Sequence, residues 1–359
     1  NALESVDEAL EGIRFRPLFP AAESPLGFLR RLPTIAAALR EEVAAAEVVH
    51  SNNSQLYRPF EFMALLLASF LGKNTISVTD IDHRRSAMMR YRAGYWTLKE
   101  YLSTRLLHDP FQHVQQQFGV RRFSLVLLKS AALVRDYGAA RPNVKNFLDS
   151  AFSREHLIGP ERLAAKLREI EDPQTPLQVV YFGRLVNEKG VDAMLRAVAR
   201  ALERGARVRF DIIGNGPAEA SLRASSRALG IDAFVRFVGA VPFGLVLFEH
   251  LYRSHVLLAA PISEDTPRSA LDANAAGIAV LAYDTQYYRE LAGIGAGVEL
   301  VPWGNAEALG DRLAELDSSR RHLGALMKNS VEFAAENTQE VWLDRRVNWT
   351  RGLFELAES

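Results

Sequence analysis

Two acidic residues stand eight positions apart where a polar loop meets a helix: Glu264 and Asp272. The apolar run 256–260 precedes the loop, and Thr266 and Pro267 are typical of a helix start, with threonine as the cap and proline in the first turn. A helix N-terminus presents unpaired amides and the positive end of the helix dipole, which favour a phosphate. The pattern therefore predicts that both carboxylates face one phosphorylated ligand beside these amides.

The helix that holds Asp272 is predicted at residues 268–276, because Gly277 ends the pattern and a buried strand follows at 278–282. A purely structural interpretation of the same residues stays open. Ser269 and Asp272 have the spacing of a capping box, and the acids of the preceding loop would then be solvated.

A glycine and two basic residues follow the strand predicted at residues 179–182: Gly183, Arg184 and Lys189. In open α/β sheets ligands bind beyond the carboxyl ends of the strands, where these residues fall. Glycine lets a ligand approach the backbone, and an arginine with a lysine can hold a diphosphate. A solvated loop is the alternative for any single cation, but the three features together favour a diphosphate site.

A glycine-rich turn follows the strand predicted at residues 208–213 and consists of Gly214, Asn215 and Gly216. A dinucleotide-binding fingerprint would need glycine or alanine where Glu219 stands, and it would normally open its domain. We therefore predict a tight turn that lines a nucleotide pocket, with a turn that binds no ligand as the alternative.

The elements that position these residues alternate between strand and helix along the whole chain, which is typical of parallel α/β sheets. A proline-rich and charged segment at residues 154–176 separates two such series. We therefore predict two doubly wound α/β domains, at residues 1–153 and 177–335. The last part, residues 336–359, is predicted to contain a helix at 341–356 that crosses back to the first domain.

The further elements are predicted from apolar periodicity and turn residues. A short helix is expected at residues 3–10, and the remaining strands at 12–19, 47–50, 74–79, 123–128, 143–147, 235–238 and 256–260. Residues 84–117 read as an arginine-rich helical layer on the surface whose aromatic residues are core. A clamp on a ligand, formed by Tyr91, Tyr95, Trp96 and Tyr101, is the alternative.

Composition limits the classes of function. The 359 residues include 43 Lys and Arg against 43 Asp and Glu, so the net charge does not recruit nucleic acid. With 48% hydrophobic and 24% charged residues the chain is globular rather than disordered. No apolar run reaches the roughly eighteen residues of a membrane span, and the absence of cysteine excludes disulfides and cysteine metal sites.

Four motifs within residues 177–305 resemble the C-terminal half of a GT-B glycosyltransferase, specifically the large retaining family 4 of group 1. They read F-G-R-L-V-N-E-K-G from Phe182, I-I-G-N-G-P from Ile212, V-R-F-V-G-A-V-P from Val235, and P-I-S-E-D-T-P-R-S-A-L-D from Pro261. The last resembles the two-acid motif of that family. The order and spacing of the motifs match, so the resemblance implies two Rossmann-like domains that face each other across a cleft.

The resemblance also implies roles for individual residues. Arg184 and Lys189 would hold the donor diphosphate and stabilise the departing phosphate, while Glu264 would bind hydroxyls of the donor sugar. Asp272 would hold the ribose, although the family usually has glutamate there and an aspartate is shorter by one C–C bond, about 1.5 Å. The remaining implied donor contacts are Gly183, Gly214, Asn215, Gly216, Asp265, Thr266, Pro267 and Arg268.

The first half resembles the family more faintly. N-F-L-D at residues 146–149 stands in place of a glycine-containing turn, and the family's first strand and glycine-rich loop are not found after Asn1, so we expect sequence upstream. Candidates for the acceptor side and the reaction centre follow two predicted strands: His50, Asn52, Asp80, Asp82 and His83. A buried, hydrogen-bonded structural role is the alternative for the last three.

The implied activity is a metal-independent transfer of a sugar from a UDP- or GDP-type donor to a saccharide or glycoconjugate hydroxyl, with retained anomeric configuration and no cofactor. It would belong to bacterial-like polysaccharide or glycoconjugate biosynthesis. The alternatives are an epimerase or a phosphorylase of the same fold and a non-catalytic nucleotide-sugar binder. A cytoplasmic location is expected; Arg84, Arg85, Arg90 and Arg92 either contact anionic lipid at the inner membrane face or are solvated.

Overall fold

The computed structural model describes residue 16 and residues 25–355, apart from residues 55, 57, 58 and 139. The helix predicted at 3–10 lies outside the described residues, as does the strand predicted at 12–19 except for Arg16.

The first domain contains a four-stranded parallel sheet in the order β1-β2-β3-β4. Its described helices and strands are α1 (Pro25–Ala45), β1 (Val48–Asn52), α2 (Phe60–Phe70), β2 (Asn74–Thr79), α3 (His83–Arg92), α4 (Leu98–Ser103), α5 (Asp109–Arg122), β3 (Leu125–Leu128), α6 (Ala131–Tyr137) and β4 (Val144–Asn146). A π-helical turn at Thr104–His108 joins α4 to α5. The segment predicted as one helical layer is therefore two helical stretches, α3 and residues 98–122, which residues 93–97 separate.

The second domain contains a six-stranded parallel sheet. Its elements are α7 (Pro160–Glu171), β5 (Leu177–Phe182), α8 (Val191–Glu203), β6 (Val208–Ile213), α9 (Glu219–Ala228), β7 (Val235–Gly239), α10 (Leu245–Leu251), β8 (Val256–Ala259), α11 (Arg268–Ala275), β9 (Ala279–Tyr283), α12 (Gln286–Gly293), β10 (Val298–Val301), α13 (Ala306–Ser318) and α14 (Arg320–Ala335). The last helix, α15, spans Gln339–Glu355.

The strand order of the second sheet, β10-β9-β8-β5-β6-β7, reverses between β5 and β8. This reversal leaves a crevice at the carboxyl ends of β5 and β8, where doubly wound sheets bind ligands. The described strands of the first sheet follow the order of the chain. Among the described strands, a reversal of the order is therefore observed in the second sheet and not in the first.

Both faces of the second sheet are covered, which explains why its strands are apolar along their length. Along β5, Val179 and Tyr181 contribute to one buried cluster, and Val180 and Phe182 contribute to another on the opposite face. Part of the predicted linker belongs to this domain, because Lys166 of α7 is buried and donates to the carbonyl of Ala276 at 2.9 Å.

The last helix returns to the first domain. Trp342, Trp349 and Leu353 of α15 pack against a buried cluster that includes Ile76 and Leu127 of the first sheet. The chain therefore passes twice between the domains.

The prediction that the aromatic residues of the arginine-rich segment are core is wrong for two of them. Tyr91 and Tyr95 are 38% and 50% exposed. Tyr91 instead stacks on Tyr101 with 4.9 Å between ring centroids, on the surface of the first domain.

Each helix in the described part of the chain is too short or too polar to traverse a bilayer.

Candidate functional site

A cavity of about 350 Å³ lies at the crevice where the strand order of the second sheet reverses. It brings together residues that follow β5 and β8, including Gly183, Arg184, Lys189, Asp265 and Asp272. Pro267 and Arg268, at the start of α11, also line it. A cavity of this volume suits a small ligand. Because the basic pair, Arg184 and Lys189, and the deeper acid, Asp272, all line it, they converge on one site.

The two cations of this cavity differ in their surroundings. The guanidinium of Arg184 is exposed and has no ion-pair partner among the described residues. Lys189 donates through Nζ to the carboxylate of Asp265. An anionic ligand would therefore find Arg184 available, but it would have to exchange with Asp265 for Lys189.

Close backbone packing fixes the loop that holds these cations. The Tyr181 hydroxyl donates to the carbonyl of Arg184 at 2.8 Å. Gly190 has φ +67°, and a Cβ built there would lie 1.8 Å from the carbonyl oxygen of Ala260, directly after β8. The end of β8 can approach this loop only because residue 190 lacks a side chain.

The structure places the glycine-rich turn behind the same loop. Gly214 has φ +135°, and an added Cβ would lie 1.9 Å from the carbonyl oxygen of Gly183. The carbonyl of Asn215 accepts from the amide of Leu185 at 2.8 Å, and a Cβ added at Gly216 would lie 2.3 Å from the carbonyl oxygen of Leu185. Gly214, Asn215 and Gly216 thus support the cation loop rather than line the cavity.

The N-terminus of α11 has no side-chain cap among the described residues. Pro267 is the N-cap residue, so the prediction that Thr266 caps this helix is wrong; its hydroxyl instead donates to the carbonyl of Asp80 at 3.5 Å. The alternative, a capping box of Ser269 and Asp272, is not observed at the described start of α11 either. The first amides of α11 therefore remain free to face an anion at the wall of the cavity.

Asp272 lies at the bottom of the cavity and is 4% exposed. Its Oδ1 has no hydrogen-bond partner among the described residues. Burial raises the pKa of this carboxyl to about 7, and the nearby Arg268 opposes the rise. A buried acceptor without a partner is costly, so Asp272 is poised to accept a hydrogen bond from a ligand hydroxyl.

Glu264 is placed differently from Asp272. Its two carboxylate oxygens accept from the amide of Gln286 at 3.1 and 3.2 Å, at the start of α12. Burial raises its pKa, and the hydrogen bond from Gln286 and the charge of Arg85 oppose this rise. The structure therefore does not bring the carboxylate of Glu264 to the wall of the cavity that holds Arg184 and Asp272.

A second cavity, of about 590 Å³, lies between the domains and shares Arg184, Asp265, Pro267 and Arg268 with the first. Its other wall belongs to the first domain and includes Asn52 and Asp80. A third cavity, of about 580 Å³, extends into the first domain and shares Asn53, Thr79, Ile81 and His83 with the second. The three cavities thus adjoin one another from the second domain into the first.

The candidate residues of the first domain divide between these cavities and the sheet. His83 lines both the second and the third cavity, and desolvation by the surrounding protein lowers the pKa of its imidazole. Asp82 caps α3 by accepting from the amide of Arg85 at 3.1 Å. His50 lies within β1, where burial and then Arg346 of α15 lower its pKa; the structure does not bring it to the cleft.

Two cleft residues were not among the candidates. Lys129 directly follows β3, and its Nζ lies 3.4 Å from Asp149, which in turn lies 3.8 Å from Arg268 of the second domain. All three line the cavity between the domains. The position of Lys129 at a strand end was a signal that could have identified it.

The domains also contact each other directly beside the cleft. The carboxylate of Glu290 on α12 accepts from the hydroxyl of Ser130 and from the amides of Ala131 and Ala132, each at 2.8 Å. Ser86 donates to the carbonyl of Glu264 at 3.1 Å.

Within the described residues, no group of three or more His, Asp or Glu side chains could hold a metal ion.

Part of the chain is similar in sequence to known glycosyltransferases. Residues 164–333 match the family model described as group 1 glycosyl transferases. A putative colanic acid biosynthesis glycosyltransferase, WcaL of Escherichia coli K12, is 29% identical over 189 residues, which are 50% of this chain and 46% of that protein. The 2-deoxystreptamine glucosyltransferase of Streptomyces kanamyceticus is 32% identical over 135 residues, 35% of this chain and 34% of that protein. The matched segments thus span less than half of these relatives.

Solved structures resemble the chain over both domains. HepE of Anabaena in complex with UDP has a TM-score of 0.67 at 17% identity, with 92% of this chain and 84% of that chain covered. The sucrose-phosphate synthase of Thermosynechococcus elongatus has a TM-score of 0.64 at 16% identity, with 92% and 79% covered. Together with the two parallel sheets, these likenesses confirm the predicted GT-B fold.

Proposed function

We propose that the chain transfers a sugar from a UDP- or GDP-type donor to a hydroxyl of a saccharide or glycoconjugate, with retained anomeric configuration. The observation that carries this proposal is the cavity at the strand-order reversal, where Arg184, Lys189 and the start of α11 converge above Asp272. Two findings support it: the match to group 1 glycosyl transferases and the likeness to HepE in complex with UDP-glucose. The proposed location is the cytoplasm.

The charge of the departing diphosphate explains why these groups belong together. Glycosyl transfer leaves positive charge on the anomeric carbon while the nucleoside diphosphate departs as an anion. Arg184, Lys189 and the first amides of α11 would stabilise that anion without a metal ion or a cofactor. Lys189 would exchange the carboxylate of Asp265, to which its Nζ donates, for phosphate.

Hydroxyl recognition would fall to the acids. Asp272 would accept from the ribose, which would satisfy its unpartnered Oδ1. Glu264 would contact the donor sugar, since a carboxylate that accepts one amide keeps lone pairs for a hydroxyl. That contact requires Glu264 to turn from Gln286 toward the cleft.

The acceptor would occupy the cavities of the first domain. The lowered pKa of His83 keeps its imidazole neutral at pH 7, so one ring nitrogen can accept a hydrogen bond from an acceptor hydroxyl. Asn52, Asp80 and Lys129 line the same space and would orient that acceptor. A role in polysaccharide biosynthesis is proposed because WcaL is named for colanic acid biosynthesis.

The first experiment is a thermal-shift panel with the diphosphates of uridine, guanosine and adenosine. A ligand at about one hundred times its Kd adds roughly 2.7 kcal/mol of stability, which is readily measured. Stabilisation by uridine or guanosine diphosphate is expected, and no response to any of the three would contradict a nucleotide site.

The second experiment follows product formation with a nucleotide sugar and a saccharide acceptor. Release of nucleoside diphosphate and an NMR spectrum that shows the donor's anomeric configuration in the product are expected. Inversion would refute the proposed stereochemistry. Consumption of inorganic phosphate without nucleotide would indicate a phosphorylase, a changed sugar without transfer an epimerase, and binding without turnover a non-catalytic binder.

A further inference from the structure

A leucine-rich surface on the first domain is exposed to solvent. Leu98, Leu102, Leu106 and Leu107 are 54%, 41%, 67% and 51% exposed. Together with Lys99 and Ser103 they line one shallow depression across α4 and the π-helical turn. Contiguous exposed apolar side chains are uncommon on soluble proteins and mark a binding surface. We call these six residues the leucine surface.

The segment that presents the leucine surface is strongly basic, although the whole chain has no net charge. Residues 83–108 contain six Lys or Arg residues and one acid, Glu100. Arg84, Arg92 and Lys99 are exposed, and none of the three has an ion pair among the described residues. Arg92 lines a separate cavity with Gly190 of the second domain, whereas Lys99 lies within the leucine surface and Arg84 and Arg105 line the adjoining cavity. Leucines and basic side chains therefore lie together where α4 continues into the π-helical turn.

We infer that the leucine surface docks on an anionic lipid bilayer. Leucines on an interfacial helix enter the boundary between headgroups and acyl chains, and each nearby Lys or Arg adds attraction to an anionic surface. A second copy of the chain fits less well, because it would bring two segments of the same positive charge together. Binding of nucleic acid would account for the basic residues but not for the exposed leucines.

The position of Leu106 links this surface to the proposed reaction. Leu106 lines both the leucine surface and the first-domain cavity that adjoins the cleft, and Arg84 and Arg105 line that cavity as well. An acceptor with a lipid anchor could therefore enter the cavity while its anchor stays in the bilayer. This assignment of the acceptor rests on the proposed function, whereas the docking itself does not.

The test measures sedimentation of the full chain with vesicles of phosphatidylcholine alone or mixed with phosphatidylglycerol. Binding to the anionic vesicles, weakened by salt, is expected. The double variant Leu98→Glu/Leu102→Glu should lower the partition coefficient by about tenfold or more, because it removes apolar contacts and adds repulsion. The variant Lys99→Gln should lower it severalfold, and Ile294→Glu, at an exposed position of the second domain, should leave it unchanged.

Circular dichroism and thermal midpoints of all variants verify folding, which is expected because the substituted side chains are exposed. No binding to either vesicle, or equal binding to both, would overturn the inference. So would an oligomer of the unaltered chain that Leu98→Glu/Leu102→Glu converts to a monomer, since the occupant would then be a second copy. Vesicle binding without any response to nucleotides would refute the proposed function and leave the docking intact.

Discussion

The guanidinium of Arg184 faces the cavity without an ion pair among the described residues, whereas Lys189 is neutralised by Asp265. The two cations therefore differ in what a ligand gains from them. Binding to Arg184 adds a charge-assisted hydrogen bond directly, while binding to Lys189 requires an existing ion pair to break.

We expect Arg184→Ala to lower the affinity for the preferred nucleoside diphosphate by about 10- to 100-fold, the equivalent of 1.5–3 kcal/mol for a hydrogen bond to a charged group. Because the side chain is exposed, the free energy of unfolding should stay the same. Isothermal titration calorimetry measures the affinity, with Arg209→Ala as a matched control at an exposed arginine of β6. Equal affinities of the two variants would remove Arg184 from the donor site.

Asp272 makes stability depend on pH. Burial raises its folded-state pKa from 3.8 to about 7, so the folded protein keeps a proton that the unfolded chain releases. The free energy of unfolding should therefore fall as the pH rises from about 4 to about 7, with a slope of up to about 1.4 kcal/mol per pH unit from this group, and then level off.

Urea unfolding of the ligand-free chain between pH 4 and pH 8 measures that slope, with Asp272→Asn for comparison. The asparagine variant should lose this part of the slope and be the more stable protein at pH 8, since no buried charge forms. An unchanged slope in the variant would show that Asp272 does not titrate in this range.

At the scale of elements, the loop after β5 depends on Gly190. Its φ of +67° favours glycine, and a Cβ would lie 1.8 Å from the Ala260 carbonyl oxygen. We expect Gly190→Ala to cost at least about 3 kcal/mol of unfolding free energy and to displace Lys189, which weakens nucleotide binding. Urea unfolding and calorimetry measure the two effects.

Gly205→Ala is the matched control, because Gly205 also has a positive φ, +83°, but no atom lies within 4 Å of an added Cβ. It should cost only the roughly 1–2 kcal/mol of a left-handed alanine and leave nucleotide affinity unchanged. If both variants lost similar amounts of unfolding free energy and nucleotide affinity, the close contact between Gly190 and Ala260 would not be what fixes the loop.

Elements with clear local signals were predictable from the sequence. The strand predicted at 208–213 is observed as Val208–Ile213, because a glycine turn ends its apolar run. The convergence of Arg184, Lys189 and Asp272 followed from their positions beyond strands and at a helix start. Strand β10 (Val298–Val301) was not predicted, since two of its four residues are only partly buried and leave no continuous apolar run.

Contacts between distant residues were not predictable. The carboxylate of Glu264 binds the start of α12, 22 positions further along the chain, and no local pattern specifies that choice. Asp149 reaches Arg268 only because the two domains face each other. Side-chain partners chosen by tertiary packing leave no trace in periodicity or spacing.

At the scale of the whole molecule, Glu290 joins the domains by accepting from Ser130, Ala131 and Ala132. We expect Glu290→Ala to favour an open cleft, because the first amides of α6 lose their acceptor in the closed form. Hydrogen exchange at Ala131 and Ala132 should accelerate by about tenfold or more, the equivalent of about 1.4 kcal/mol.

Small-angle scattering should show a larger radius of gyration for Glu290→Ala. Glu249→Ala is the control, since Glu249 is an exposed acid whose partner, Arg162, lies on α7 of the same domain. Unchanged exchange and an unchanged radius in Glu290→Ala would show that other contacts hold the domains together.

The two passes of the chain between the domains lie side by side. The carbonyl of Phe152 accepts from the amide of Gln339 at 2.8 Å, and Glu340 accepts from the amide of Arg154 at 3.1 Å. Two adjacent connections of this kind act as one hinge. The domains can therefore rotate about it, whereas sliding apart would require these hydrogen bonds to break. Spectroscopic labels at the rim of the cleft, far from Phe152, should therefore report a domain rotation that is linked to substrate binding. Labels beside the hinge should not report it.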